Sequence, residues 1–193
     1  MLHSNPRTTF RLPPAILLVA ALGALSSALL PAQPPDHSLA TEKAMAPMQW
    51  WVGRWEGTGW VMSPDRQRAE IEVVELVEAR IDGQVLVFEG IGTDPASGLV
   101  GHHALGVLSY DGGSESFRLR TFRSGGVIDP DVEVRDDGTM IWGFAQGPGR
   151  IRFTITHTED DRWVELGEYS PDGEQWFPML GMDLRRVEAA SSR

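Results

Sequence analysis

From Arg54 onward, hydrophobic and polar positions alternate with a period of two. In RWEGTGWV, Trp55, Gly57 and Gly59 share one face, and Arg54, Glu56 and Thr58 share the other. RIRFTITHT is the most regular case, setting Ile151, Phe153, Ile155 and His157 against Arg152, Thr154, Thr156 and Thr158. Successive side chains of an extended chain point to opposite faces, so the pattern predicts half-buried strands. AEIEVVELVEAR, QVLVFEGIG, HHALGVLSY, SFRLRTF, DVEVR, TMIWGFA, RWVELGEY and EQWFPMLGMDLRR read the same way. The total is about ten strands. Asp-Gly dipeptides fall between them at Asp82-Gly83, Asp111-Gly112, Asp137-Gly138 and Asp172-Gly173. This dipeptide tolerates the positive φ of a tight hairpin, so consecutive strands are expected to run antiparallel. No helix-length pattern separates them, which argues against parallel βαβ units. The predicted class is all-β.

That many strands must split into two sheets or curl until the ends meet, and closure removes the edges that invite aggregation. The expectation is an up-and-down antiparallel barrel. Strands about 4.8 Å apart, tilted by roughly 45°, give ten of them a diameter of about 21 Å and a lumen of roughly 10 Å. Such a lumen admits a small organic ligand. Upstream, QPPDHS reads as a linker, and Leu39, Lys43 and Ala44 allow a short helix that Pro47 ends or restarts. It is expected to act as a lid or plug. MQWWVGRWEGTGW, which follows, packs four of the chain's seven tryptophans into one stretch. Gly57 and Gly59 would let a first strand bend sharply, and the freed volume would take the Trp55 indole at one end of the barrel.

Charge and the N-terminus narrow the function. Arg7 and Arg11 precede AILLVAALGALSSALL, an apolar run of 16 residues. A spanning helix needs about 20, so a secretory signal is the better reading and an uncleaved anchor the alternative. Cleavage would follow Ala28 or Ala32. The expected layout is a signal peptide over 1–32, linker and short helix over 33–45, a barrel domain over 46–187 and a disordered tail over 188–193, in a periplasmic or secreted protein without a membrane span once the signal is removed. There are no cysteines, so neither a lipidated cysteine nor a disulfide is available. The formal net charge is −10, and the predicted signal contains two arginines and no acid, so the remainder is more acidic still. Such a surface repels phosphate backbones and argues against nucleic-acid binding.

Gly53-Arg54-Trp55 forms a G-x-W signature, and with the hairpin ladder and a C-terminal arginine the chain resembles the calycins, the superfamily of lipocalins and fatty-acid-binding proteins. GRWEGTG is similar to the first strand of nitrobindin-type haem barrels. YSPDGEQW, GMDLRR and LGVLSYDGG resemble a bacterial secreted lipocalin-like family of unknown function. The resemblance covers residues 46–187. It implies that Arg185 or Arg186, on the last strand, packs across Trp55 by cation–π contact and hydrogen bonding.

The candidate chemistry is lumenal. If Ile71, Val73 and Val77 face inward, so does Glu75; Glu89 alternates in the same way with Val85, Val87 and Ile91. Two carboxylates in an apolar lumen would have raised pKa values and could act as acid and base. Arg118 or Arg120 could pair with one of them or fix an acidic ligand head. A slip at a bulge would instead turn these charges to water. Of the aromatic set Trp60, Trp142, Phe144, Trp163, Trp176 and Phe177, Trp142 and Trp176 are named with Phe153 as lumen candidates. His102 and His103 are adjacent, so at most one can enter the lumen. His157 shares a face with Phe153 and Ile155 and is the better interior histidine. Haem needs one axial imidazole in an apolar pocket, but no histidine follows His157, whereas nitrobindin-type barrels place theirs near the C-terminal end. Glu159-Asp160-Asp161 lacks the remaining ligands of a calcium loop. G-x-S-x-G, phosphate-loop and H-E-x-x-H motifs are absent, so no catalytic nucleophile and no metal ligand is assigned. The leading expectation is a barrel binding a small, mainly apolar molecule without a cofactor. An isomerase- or cyclase-type enzyme using Glu75 or Glu89, and a haem barrel using His157 or His102, are the alternatives.

Overall fold

The computed structural model describes residues 36–63 and 65–187. The predicted signal peptide, the start of the linker and the C-terminal tail lie outside the described residues. Among those described, an α-helix α1 (Ser38–Met45) runs into a 3-10 turn over Ala46–Trp51, with Pro47 at its start. The rest is β: β1 (Gly53–Met62), β2 (Arg68–Arg80), β3 (Val85–Thr93), β4 (Val100–Asp111), β5 (Ser116–Arg123), β6 (Gly126–Ile128), β7 (Asp131–Val134), β8 (Met140–Gln146), β9 (Gly149–His157), β10 (Arg162–Ser170) and β11 (Phe177–Val187). β6 is the strand the alternation missed. Three residues after a Ser124-Gly125 turn are too short for a period of two to register.

All eleven strands form one antiparallel sheet in the order β6-β5-β4-β3-β2-β1-β11-β10-β9-β8-β7. The first and last strands pair at its centre, Trp55 opposite Arg186 and Gly57 opposite Leu184. The sheet curls until β5 and β7 approach within 8 Å at Cα, but β6 and β7 share no ladder. The barrel therefore keeps one seam. All four Asp-Gly dipeptides lie between paired strands. At the β2–β3 turn Asp82 and Gly83 adopt φ 52° and 86°, and the Gln84 amide donates to the Ile81 carbonyl at 3.0 Å. At Asp111, Asp137 and Asp172 the carboxylate accepts backbone N–H groups two or three residues on, which fastens each turn.

The strands sort their residues by size and charge. Inside stand Val73 and Val77 of β2, Leu86 of β3, Leu108 of β4, Leu119 of β5, Met140 of β8, Ile155 of β9, Trp163 of β10 and Leu184 of β11. The 3-10 turn presses Met48 and Trp51 into one end of this core, both 0% exposed. α1 and the turn thus form a plug. Gln49 pins it by donating to the Gly83 carbonyl at 2.9 Å. A side chain at Gly57 would strike the Asp183 carbonyl of β11, so β1 and β11 can approach only because glycine is there. No helix of the described residues is long and apolar enough to cross a membrane.

Candidate functional site

The plugged end is aromatic and dry. Trp55 is fully buried and its indole N–H donates to the Trp51 carbonyl at 2.7 Å. Trp50 lies 5.0 Å from Trp51 and 5.8 Å from Trp55, and Trp163 lies 5.6 Å from Trp51. Arg186, not Arg185, covers the cluster. Its guanidinium carbon sits 4.1 Å above the Trp55 ring, and it donates to the carbonyls of Val52 and Trp50 at 2.6 Å each. The same guanidinium holds Asp161 at 3.1 Å, which with His157 draws the Asp161 carboxyl down to about 2. Arg185 pairs across the ladder with Glu56, on the exposed face.

His157 belongs to this end. Its ring stacks on Trp50 at 4.3 Å with 3° between the planes, and Nε2 bonds the Asp161 carboxylate at 2.8 Å. An imidazole built into the plug in this way is not presented to a lumen ligand, so the residues here do not fit an axial haem ligand. Among the described residues no three His, Cys, Asp or Glu side chains gather to hold a metal ion.

Above the plug the inner wall changes character. Ile71, Phe88, Trp142, Phe153 and Met182 face inward by register yet are only partly buried. This half of the inner wall, a shallow cup, is less completely buried than the plug. Trp142 stacks on Phe153 at 4.2 Å, and the Phe153 ring lies over Gly167. Glu75 sits opposite Trp55 on one side and Gly90 on the other. Its carboxyl fills the space above Gly90, where any Cβ would collide with it. β2 pairs with β1 without a bulge, so the parity of Glu75 does not slip and Val74 and Leu76 turn outward instead.

A second carboxyl joins it from β10. Glu165 lies between Ile155 and Met182 and is 8% exposed. Burial raises Glu75 to about 8, and the charge of Glu165 adds to the rise. Burial raises Glu165 to about 7, opposed in part by the Trp163 indole N–H. That N–H is buried without a formed hydrogen bond, as are those of Trp50 and Trp51. Among the described residues no cation offsets either glutamate. His102 enters the cup beside Gly92, and burial lowers its pKa. The sequence reading missed Glu165. In RWVELGEY the apolar Val164 and Leu166 lie on the opposite parity and look like the inner set.

Four residues expected in the lumen lie elsewhere. Glu89 faces outward and bonds His103 at 2.8 Å, because Leu86, Phe88, Gly90 and Gly92 take the inner positions of β3. Arg118 and Arg120 face outward because Phe117, Leu119 and Thr121 take the inner face of β5. Arg120 grips Asp129 with both ends, at 2.6 and 2.9 Å. Trp176 sits in the β10–β11 loop beneath Arg152, whose guanidinium carbon is 4.0 Å above its ring. Trp60 takes Arg68 in the same manner at 3.9 Å, and Phe177 is 52% exposed.

The fold is shared with known barrels. Rv2717c from M. tuberculosis superposes with a TM-score of 0.54 at 15% identity, over 77% of this chain and 98% of that one. The S-type phycobiliprotein lyase CPES from Guillardia theta gives a TM-score of 0.53 at 12% identity, over 81% of this chain and 100% of that one. The likeness is one of fold, an antiparallel sheet curled into a barrel. No protein-family model matches the chain, and no curated protein matches its sequence.

Proposed function

We propose that the protein is an exported barrel that holds a small, mainly apolar molecule in the cup above its tryptophan plug. The observation that carries this is that Glu75, over Gly90, and Glu165, between Ile155 and Met182, face inward with no ion-pair partner among the described residues. Packing does not require them, and a carboxyl left in such a place destabilises the fold. Polar groups that serve no internal partner in an accessible apolar cavity are the usual anchors of a ligand. Phe153, Trp142 and Ile71 would supply contact area, and the two carboxyls orientation. The apolar N-terminal run with its two arginines supports export to the periplasm or beyond.

Native mass spectrometry of protein extracted from its own cell envelope should show a co-purified small molecule. A protein that carries none, and does not brighten the neutral apolar dye N-phenyl-1-naphthylamine, has no usable cup.

A second reading has its own support. Two carboxyls raised toward neutrality can exchange protons at ordinary pH, which suits an isomerase or cyclase. One structural neighbour is a lyase. Turnover of the co-purified molecule, lost in Glu75→Gln and Glu165→Gln, would favour catalysis over carriage.

A further inference from the structure

The outer face of the sheet is not uniform. On β1 it presents Arg54, Glu56 and Thr58, and on β9 Arg150, Arg152, Thr154 and Thr156, as a solvated face should. From β2 to β5 it is apolar instead. Leu76, Val87, Ile91, Leu105, Val107 and Phe122 all stand on the parity that faces away from the core. The inner positions of the same strands, Val73, Val77, Leu86, Leu108 and Leu119, already fill the core. An antiparallel sheet with one wet face alternates, whereas strands apolar on both faces belong to a sheet covered on both. Leu76, Leu105 and Phe122 share one cross-strand row with Glu89 and are 37%, 37% and 39% exposed.

The charges flanking this face point to what covers it. The neighbouring row toward the plug reads Glu78, Val87, Val107 and Arg120 from β2 to β5. Its two ends carry opposite charges, with small apolar side chains between. A two-fold axis parallel to the strands, midway between β3 and β4, lays β2 of one copy over β5 of another. Glu78 then meets the partner's Arg120 and Val87 the partner's Val107, and each contact occurs twice. In the row of Leu76, that side chain comes over the partner's Phe122, at the hollow bordered by Leu105, Phe122 and Val127. Glu89 lies near the axis but brings its own partner, His103 at 2.8 Å, so no lone carboxylate is buried there. The outermost row sets Arg80 over the partner's Arg118, with Glu78 2.6 Å from the first and Asp111 3.9 Å from the second to temper the repulsion.

We infer that the protein pairs with a second copy of itself through the outer face of β2 to β6, about a two-fold axis between β3 and β4. The core is complete within one copy, so each chain folds alone. The outside of a barrel is convex and the contact small, so pairing is weak and the stability of dilute protein does not report it. A lipid surface is the poorer fit, because the formal net charge of −10 opposes anionic headgroups.

Sedimentation equilibrium over a concentration series should show a mass rising toward twice that of one chain. Glu78→Arg sets arginine against the partner's Arg120 at two places, and Arg120→Glu sets glutamate against the partner's Glu78. Each should weaken self-association about tenfold or more. Mixing the two variants restores both opposite-charge contacts, and the mixed pair should regain the affinity of the unaltered protein. Within one copy positions 78 and 120 stand three strands apart, about 14 Å, so such a rescue arises only between copies. Leu105→Asp, near the axis, should also abolish association. A single-chain mass at the highest soluble concentration, an association indifferent to both charge reversals, or reversed variants that stay apart when mixed overturns the pairing. A single-chain protein that floats with phosphatidylcholine vesicles, and no longer does so as Leu105→Asp, overturns it in favour of a lipid surface.

Discussion

The two ends of the barrel are built from similar residues to opposite effect. At the plug, four tryptophans, two methionines and Leu184 exclude water almost completely. At the cup, Trp142, Phe153 and Ile71 stay partly accessible, and the two inward acids have no cationic partner among the described residues. The plug's one large charge, Arg186, is by contrast fully engaged, with an indole beneath it, two carbonyls and Asp161. One end thus satisfies its polar groups internally and the other leaves them waiting. Stability should be concentrated at the first and ligand chemistry at the second.

The largest way to break that contrast is Trp55→Ala. Removing a fully buried indole leaves a cavity, takes away the face under Arg186 and orphans the Trp51 carbonyl. The expected loss is about 3–5 kcal/mol, seen as a lower midpoint in chemical denaturation. Phe153→Ala, in the partly exposed wall of the cup, should cost clearly less. Equal losses would mean that the cup is as much a packed core as the plug.

The acids set the next effect, and its sign is opposite to that of most carboxylates. Both have folded pKa values above the usual 4.5, so the native state binds protons that the unfolded chain has released. Their neutral forms are tolerated fully below about 4.5, and stability is lost as pH rises through about 7 and about 8. Because Glu75 still touches water in the cup, the pair should account for on the order of 3 kcal/mol rather than the full sum of the shifts. Denaturation midpoints measured from pH 5 to 9 should fall, and the double glutamine variant should flatten the fall. An unchanged slope in that variant would move the effect to other groups.

How much of this was legible depended on whether one face of a strand was plainly the greasier. On β1 and β9 it was, and parity could be read from Trp55 and from Phe153; on β5 Leu119 marked the inner face, yet Arg118 and Arg120 of the opposite parity were expected in the lumen. On β3 it was not. Val85, Val87 and Ile91 outweigh Leu86 and Phe88 by eye, while the inner positions Gly90 and Gly92 carry no side chain at all. Gly90 is small because Glu75 leans over it, a fact about a different strand. The same blindness hid Glu165, whose inward neighbour Gly167 is covered by the Phe153 ring. His157 does lie on the inner parity of β9, but Trp50, from the far end of the chain, covers its ring. Local alternation sees pairs on one strand. It cannot see which side chain crosses the lumen to occupy a gap.

The smallest effects separate two arginine–carboxylate pairs that look alike in a list of distances. Arg186 and Arg120 each reach a carboxylate with two nitrogens, Asp161 and Asp129 respectively. Arg120 and Asp129 are both exposed, and an ion pair in water gains little, because solvent screens the attraction and two side chains must be held still. Arg186 instead divides its donors between backbone carbonyls of the plug and Asp161, and lies on an aromatic face. Arg186→Ala should therefore cost about 1–3 kcal/mol, the sum of a cation–π contact and hydrogen bonds made by a charged donor. Arg120→Ala should leave the denaturation midpoint unchanged. Raising the salt concentration sharpens the comparison, since it weakens an exposed pair and scarcely touches hydrogen bonds to carbonyls. If Arg186→Ala proved as silent as Arg120→Ala, the guanidinium over Trp55 would be a passenger on a plug held by apolar packing alone.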